Sequence, residues 1–406
     1  LKKRFISSGA VAFLIAAAVN ASSLLAADRF CEEFDECRKV FLGAGNAVSG
    51  TGVSTLEIPT SLPRSTLPID LLEVPATKSR DNLVIISSGL HGPEAFTGST
   101  MQSIFLQRIL PELDRTKTTF LLVHIINPWG ALTGRRVTEN NVDLNRNFAE
   151  APAVYLGTNP YYGAINGFLN PDSPAQAGFF EQASFMLKVA KLMLRHSTRH
   201  IRHATLRGQY QYPRGIYFGG TSPEPVTTSL TKELTAQIKK TSGRVLVIDL
   251  HTGYGRKGFM HAMPNPLPAA APLVVERSRQ MLADTMGEYP LEDVEHDADF
   301  YPSTGDFSAR VTQIAMSTGL PSVPLLLEFG TMDSQTLRGS VTSLRRVIQE
   351  NRLHWHGAVS AADKAEIERD FHELFLPRDE KWRSSVIAQF EQHTAGFIRR
   401  FQAAKD

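Results

Sequence analysis

The feature that most constrains this chain is a set of four short, unbroken apolar runs, at residues 83–87 (LVIIS), 120–126 (FLLVHII), 245–250 (VLVIDL) and 325–329 (LLLEF). Each is of strand length, and none alternates with polar residues. Continuous runs of this kind suit strands buried on both faces of a largely parallel sheet. Cleaner alternation at 69–74 adds a further strand. Helical spacing at 95–110, 176–196, 226–240, 272–286 and 337–352 fills the intervals. The expected fold class is therefore α/β, a mixed, largely parallel central sheet flanked by helices. From residue 361 onward the pattern reads as two helices broken at 376–379. Residues 151–220, rich in Pro, Gly, Asn and aromatics, interrupt the alternation and read as an insertion over one face of the sheet.

The chain's first residues read as an export signal. Lys2, Lys3 and Arg4 precede an apolar stretch at residues 10–19 that is short for a membrane span, and small residues lead to Ala26 and Ala27. Residues 1–27 are thus expected to be removed. Residues 28–406 would remain as one domain, carrying the insertion at about 151–220 and a helical extension at about 361–406. The expected location is the periplasm or the exterior, with no stable membrane insertion. A net charge of +2 gives no footprint for nucleic acid.

Export permits disulfides, and the chain has two cysteines, Cys31 and Cys37. Phe30, Phe34, Cys37 and Phe41 recur at helical spacing, so the stretch is expected to be a helix with that face buried. Six residues along a helix place two Cα atoms roughly 9 Å apart, too far for an undistorted bridge. The expectation is two unbridged cysteines.

Three of the four buried runs deliver a residue able to bind a metal or move a proton. His91 follows the first, His251 follows the third, and Glu328 lies in the fourth; the second leads to Asn127. Open α/β sheets bind ligands at the carboxyl ends of their strands, so these groups should meet in space. His91-Gly92-Pro93-Glu94 pairs an imidazole with a carboxylate at a strand-to-helix turn. With His251 it offers three ligands, the number a catalytic zinc takes while leaving a position open. Asn127-Pro128-Trp129-Gly130 is followed by Arg135-Arg136 and by Asn141-Val142-Asp143-Leu144-Asn145-Arg146-Asn147-Phe148. Guanidinium and amide groups gathered near a metal suit a substrate carboxylate and a developing oxyanion.

In this ordered set the sequence resembles the M14 zinc carboxypeptidase-like superfamily, and in particular its bacterial DUF2817 subgroup of M14 family metallopeptidases. The resemblance rests on the His-x-x-Glu pair, the Asn-Pro-x-Gly turn, the Asp143-Leu144-Asn145-Arg146-Asn147-Phe148 block, Asp249-Leu250-His251-Thr252-Gly253 and Leu327-Glu328-Phe329-Gly330-Thr331. It runs from about residue 30 to about residue 352. It implies one Zn2+ per chain on His91, Glu94 and His251, with Glu328 as the general base acting on a metal-activated water. It implies that Arg136 polarises the scissile carbonyl, with Arg135 as the second choice. Asn145 and Arg146 would grip the substrate's free carboxylate, and Asp143 would orient His91 through its other ring nitrogen. Tyr301, in Tyr301-Pro302-Ser303-Thr304-Gly305, matches a mobile tyrosine of the superfamily.

The implied function is a zinc-dependent metallocarboxypeptidase cleaving a C-terminal peptide bond. A second enzyme reading is an N-acyl amino acid deacylase of the aspartoacylase or succinylglutamate desuccinylase type, which also cleaves an amide beside a carboxylate. A third is an inactive, fold-retaining binding protein, although no ligand or base is missing. No Gly-x-Ser-x-Gly elbow is present, which disfavours a serine hydrolase. His196, His200 and His203, among several arginines, have no acidic neighbour in sequence and read as a solvated basic helix rather than a second metal site.

Overall fold

A computed structural model of the chain describes residues 30–290 and 304–404. The export signal expected at 1–27 and Tyr301 lie outside the described residues. The elements are α1 (Phe34–Asn46), β1 (Gly52–Pro59), β2 (Thr66–Val74), β3 (Asn82–Ser88), α2 (Ala95–Ile104), β4 (Thr118–His124), α3 (Pro128–Thr133), α4 (Pro160–Leu169), α5 (Phe179–Arg195), α6 (Thr198–Leu206), α7 (Pro225–Lys239), β5 (Arg244–Gly253), β6 (Met260–Pro264), α8 (Pro272–Met286), α9 (Phe307–Ser317), β7 (Ser322–Gly330), α10 (Leu337–His356), α11 (Ala361–Phe375) and α12 (Glu380–Ala403).

The seven strands form one sheet in the order β1-β2-β4-β3-β5-β7-β6. The four apolar runs are its centre, and β4, β3, β5 and β7 are mutually parallel. The remaining pairings, β1 with β2, β2 with β4 and β6 with β7, are antiparallel. This is the mixed, largely parallel sheet expected. The runs are continuous because both faces are covered. Val84, Ile86, Leu246, Ile248, Leu325 and Leu327 join a core with residues of α1, α2 and α12. Their strand neighbours Leu83, Ile85, Val245 and Val247 join another with Leu230 and Leu234 of α7 and Val311 of α9. Successive side chains point to opposite faces, so each run feeds two cores.

Two strands were not expected. β1 is an edge strand with mostly exposed side chains and no apolar run. β6 has only five residues, MHAMP, with a histidine and a terminal proline that hide its pattern. The helix expected at 95–110 ends as α-helix at Ile104, followed by a wide turn at Phe105–Ile109 and a tight one at Leu110–Glu112.

Cys31 and Cys37 form a disulfide, with Cα atoms 5.2 Å apart. The expectation of unbridged cysteines fails for a local reason. α1 begins only at Phe34, and Glu33 before it is extended at φ −127°. Cys31 therefore precedes the first turn, and the helical rise that would separate the sulfurs does not apply.

His196 and His200 likewise do not share a helix. α5 ends at Arg195, His196 is extended, and α6 starts at Thr198.

Candidate metal centre

The site is built where β3 and β5 end. β3 stops at Ser88, and Gly89 turns the chain with φ +66°; a Cβ there would lie 3.0 Å from the Ile125 Cα. His91 then sits before a single tight helical turn, Gly92–Glu94. That turn packs on the backbone of Gly130 and Arg135, so closely that a Cβ on Gly92 would come within 2.2 Å of the Arg135 carbonyl oxygen. The turn brings the His91 and Glu94 side chains to the same side. His251 lies within β5, in register with Glu328 of the neighbouring β7.

His91, Glu94 and His251 are all buried, and one ligand atom from each lies within 4.8 Å of the others, so that the three could hold a metal ion. Glu94 spans the two imidazoles. Its Oε1 is 2.7 Å from His91 Nδ1, and its Oε2 is 2.8 Å from His251 Nδ1. The outward nitrogens are held as well. His91 Nε2 is 3.1 Å from Asp143 Oδ1, and His251 Nε2 is 2.8 Å from Asp249 Oδ2. Asp249 also accepts a 2.6 Å hydrogen bond from Ser87 Oγ. Each imidazole is thus fixed in orientation by a buried carboxylate.

Electrostatics follow from this crowding. Burial opposes ionisation of Glu94, but His91 and His251 hold its carboxyl down at about 2. Burial likewise opposes charge on Asp143, and Arg136 with His91 keeps it well below the usual range. His251 is held well above its ordinary value: burial works against the imidazolium, and Asp249 and Glu94 outweigh it. Two imidazole nitrogens plus a carboxylate are a donor set that suits zinc. The residues present therefore fit the ion.

Glu328 stands beside this group without being needed as a ligand. Its Oε1 accepts a 2.8 Å hydrogen bond from the Tyr254 backbone N–H. Burial pushes its carboxyl up to about 8; His251 pulls it back and Glu94 adds to the rise. A carboxyl poised near neutrality can both take and give a proton.

The arginines separate. Arg136 is ion-paired with Asp143 and lies over the Tyr217 ring, 5.5 Å from its centroid. Arg135 is directed elsewhere: Nε donates to Glu350 at 2.6 Å and Nη2 to Asn141 at 3.2 Å. Its guanidinium ties the loop to α10, and its buried Nη1 has no hydrogen-bond partner among the described residues. Asn145 donates its backbone N–H to Asp143, and its side-chain oxygen accepts from the Phe307 N–H. Arg146 donates from Nη1 to its neighbour's carbonyl and from Nη2 to the Leu206 carbonyl at 2.7 Å, whereas its buried Nε has no hydrogen-bond partner among the described residues.

Asp249 and Tyr217 complete the surroundings of the site. Asp249 stands two residues before His251, a strand spacing that puts both on one face, and this was the signal available. Tyr217 meets Arg136 only through the fold, at a backbone φ of +57° in the loop after α6. A cavity of about 890 Å3 opens at the opposite end of β5, lined by Arg244, Arg277, Asp284 and Arg400 among others. It holds none of these residues.

Residues 30–389 match the family described as "Protein of unknown function (DUF2817)". The chain belongs to the DUF2817 family. No curated protein matches this DUF2817 chain. Among solved structures it is similar to bovine thrombin-activatable fibrinolysis inhibitor in complex with tick carboxypeptidase inhibitor, at 13% identity over 81% of this chain and 99% of that one, with a TM-score of 0.44. It is also similar to the murein-tripeptide amidase MpaA of Escherichia coli O157, at 16% identity over 75% and 95% of the two chains and a TM-score of 0.36. A third is a metallo-carboxypeptidase from Burkholderia cenocepacia, at 12% identity over 78% and 67%, with a TM-score of 0.36.

Proposed function

We propose that this DUF2817 protein is an exported, zinc-dependent metallocarboxypeptidase, which hydrolyses the amide bond next to a free carboxylate. The observation that carries this reading is the Glu94 carboxylate spanning His91 Nδ1 and His251 Nδ1, with Asp143 and Asp249 behind the two rings and Glu328 in register beside His251. His91, Glu94 and His251 would hold one zinc ion, which supplies Lewis acidity when bound. The chain's own groups do the rest. Glu328 takes a proton from the attacking water as its oxygen bonds to the amide carbon, then delivers that proton to the leaving nitrogen as the carbon–nitrogen bond breaks. Arg136 offers N–H donors to the carbonyl oxygen as it gains negative charge. Asn145 and Arg146 bind the substrate carboxylate, and the buried Arg146 Nε is a donor with no acceptor among the described residues.

The test is a panel of short peptides with free or amidated C-termini, together with N-acyl amino acids, incubated with zinc-loaded protein and read by mass spectrometry. The expected result is release of the C-terminal residue from free peptides, and turnover at least about a hundredfold lower when the carboxylate is amidated, since a charge-assisted pair is lost. Cleavage confined to N-acyl amino acids would assign the deacylase reading instead. Equal cleavage of amidated and free peptides would remove Asn145 and Arg146 from substrate binding.

A further inference from the structure

Helix α5 has two apolar faces. The inner one, Phe185 and Val189 with Leu192, packs against Tyr162, Ile165 and Leu169 of α4 and residues of α10 and α11. The outer one is exposed: Phe179 (76%), Phe180 (85%), Leu187 (65%) and Leu194 (86%), with Met186 and Met193 beside them. At 100° per residue these positions, with exposed Ala183 and Ala190, fall on one arc, a stripe that follows a helix about 25 Å long. Single exposed apolar residues are ordinary; a continuous stripe of this length marks a surface that is covered in use.

Charge identifies what covers it. Between Phe179 and Arg207 the chain carries Lys188, Lys191, Arg195, Arg199, Arg202 and Arg207, and a single acidic residue, Glu181. Glu181 is turned inward, accepting from Arg345 at 3.1 Å and from Gln349 at 2.5 Å. Lys188, Lys191 and Arg195 are exposed along one flank of the stripe. A second copy docking through this face would set cations against the same cations, because a twofold contact pairs a patch with itself. An anionic surface with an apolar layer beneath it satisfies both features at once. Interfacial helices have this arrangement, with the apolar face sunk to the headgroup boundary and basic residues at its edge. α5 does not cross: it has 17 residues, four of them charged, and no helix among the described residues is long and apolar enough to span a membrane.

We propose that α5 docks the protein on an anionic lipid surface, its Phe179–Leu194 stripe in the headgroup boundary and Lys188, Lys191 and Arg195 on lipid phosphates. The docked segment leads into α6, whose Leu206 carbonyl holds Arg146, so the membrane contact adjoins the candidate site.

The experiment uses the full chain and two kinds of vesicle, phosphatidylcholine alone and three parts phosphatidylcholine to one part phosphatidylglycerol. Cys31 and Cys37 are the only cysteines and are bridged, so a Leu194→Cys variant takes one polarity-sensitive fluorophore. That probe reports α5 itself, independently of the apolar stretch at residues 10–19. The expected result is a blue shift with phosphatidylglycerol vesicles and little with phosphatidylcholine. In the labelled chain, Lys188→Glu/Lys191→Glu/Arg195→Glu should weaken the titration about a hundredfold, each basic side chain contributing near a charged headgroup. Phe180→Asp/Leu187→Asp should weaken it at least about tenfold. No shift with either vesicle overturns the proposal, as does an equal shift with both. A shift that grows with protein concentration in the absence of lipid, with a dimer in sedimentation, also overturns it and assigns the stripe to a second copy.

Discussion

Two of the buried histidine environments in this molecule behave in opposite ways. At the carboxyl ends of β3 and β5, His91 and His251 face carboxylates through both ring nitrogens. At the end of β4, His124 stacks on Phe41 with centroids 4.1 Å apart, and its Nε2 lies 2.8 Å from the Ser99 hydroxyl. A carboxylate is present there too, since Asp70 pairs with His124 across the β2–β4 ladder. It is already taken: Asp70 accepts from Arg38 at 2.6 and 3.1 Å and from Thr55 at 2.8 Å. The consequence is electrostatic. His251 is driven above its ordinary value, and His124 is driven down to about 3, chiefly by burial. A buried histidine beside a carboxylate can bind a cation or simply pack. What differs is contact with the ring: Asp143 and Asp249 lie 3.1 and 2.8 Å from an imidazole nitrogen, whereas Asp70 bonds to Arg38 and Thr55 and the His124 ring meets the Ser99 hydroxyl.

The comparison breaks if His91 proves dispensable. His91→Ala should lose zinc, and hydrolysis should fall to background, because a two-ligand remnant holds the ion poorly. Elemental analysis after gel filtration reads this directly; one retained zinc per chain would remove His91 from the ligand set. Glu328→Gln is the next largest effect. It keeps the shape and the acceptor for the Tyr254 N–H but cannot take a proton, so the rate should fall about 10²–10⁴-fold with zinc content unchanged. Loss of zinc together with activity would mean that Glu328 is a ligand. Asp249→Asn should weaken zinc about 10–100-fold in a chelator competition, since the His251 ring loses its anionic support. The matching change on the other side, Asp70→Asn, should leave zinc affinity unchanged. If the two behave alike, the distinction between the environments fails.

Much of this contrast is readable before folding, but not all of it. The central strands announce themselves because burial on both faces leaves no room for polar alternation, and three of them carry a polar residue to one edge of the sheet. β1 and β6 give no such signal, one because its side chains face water and the other because it is too short. The Cys31–Cys37 bridge depends on where α1 starts, a matter of three residues that periodicity does not resolve. Arg135 and Arg136 are adjacent in sequence and alike in chemistry; only the fold turns one toward Glu350 and the other toward Asp143. His124 sits inside an apolar run, where its neutral packing is invisible without its neighbours on α1 and α2.

The smallest effect concerns that packing. The folded state keeps His124 neutral down to about pH 3, whereas an unfolded histidine takes up a proton near pH 6.5. Between these values the unfolded chain binds the extra proton, so stability from this site is complete above pH 6.5 and declines as pH falls toward 3. From pH 8 to pH 5 the decline amounts to about 2 kcal/mol. His124→Gln can still reach the Ser99 hydroxyl and does not titrate. It should lower stability at pH 8, where the Phe41 stack is lost, but should remove about that much of the acid dependence. Denaturant unfolding of both chains at pH 8 and pH 5, in excess chelator so that proton competition at His91 and His251 does not enter through metal release, compares the two slopes. Identical slopes would mean that His124 is protonated in the fold, and that Asp70 serves it despite Arg38.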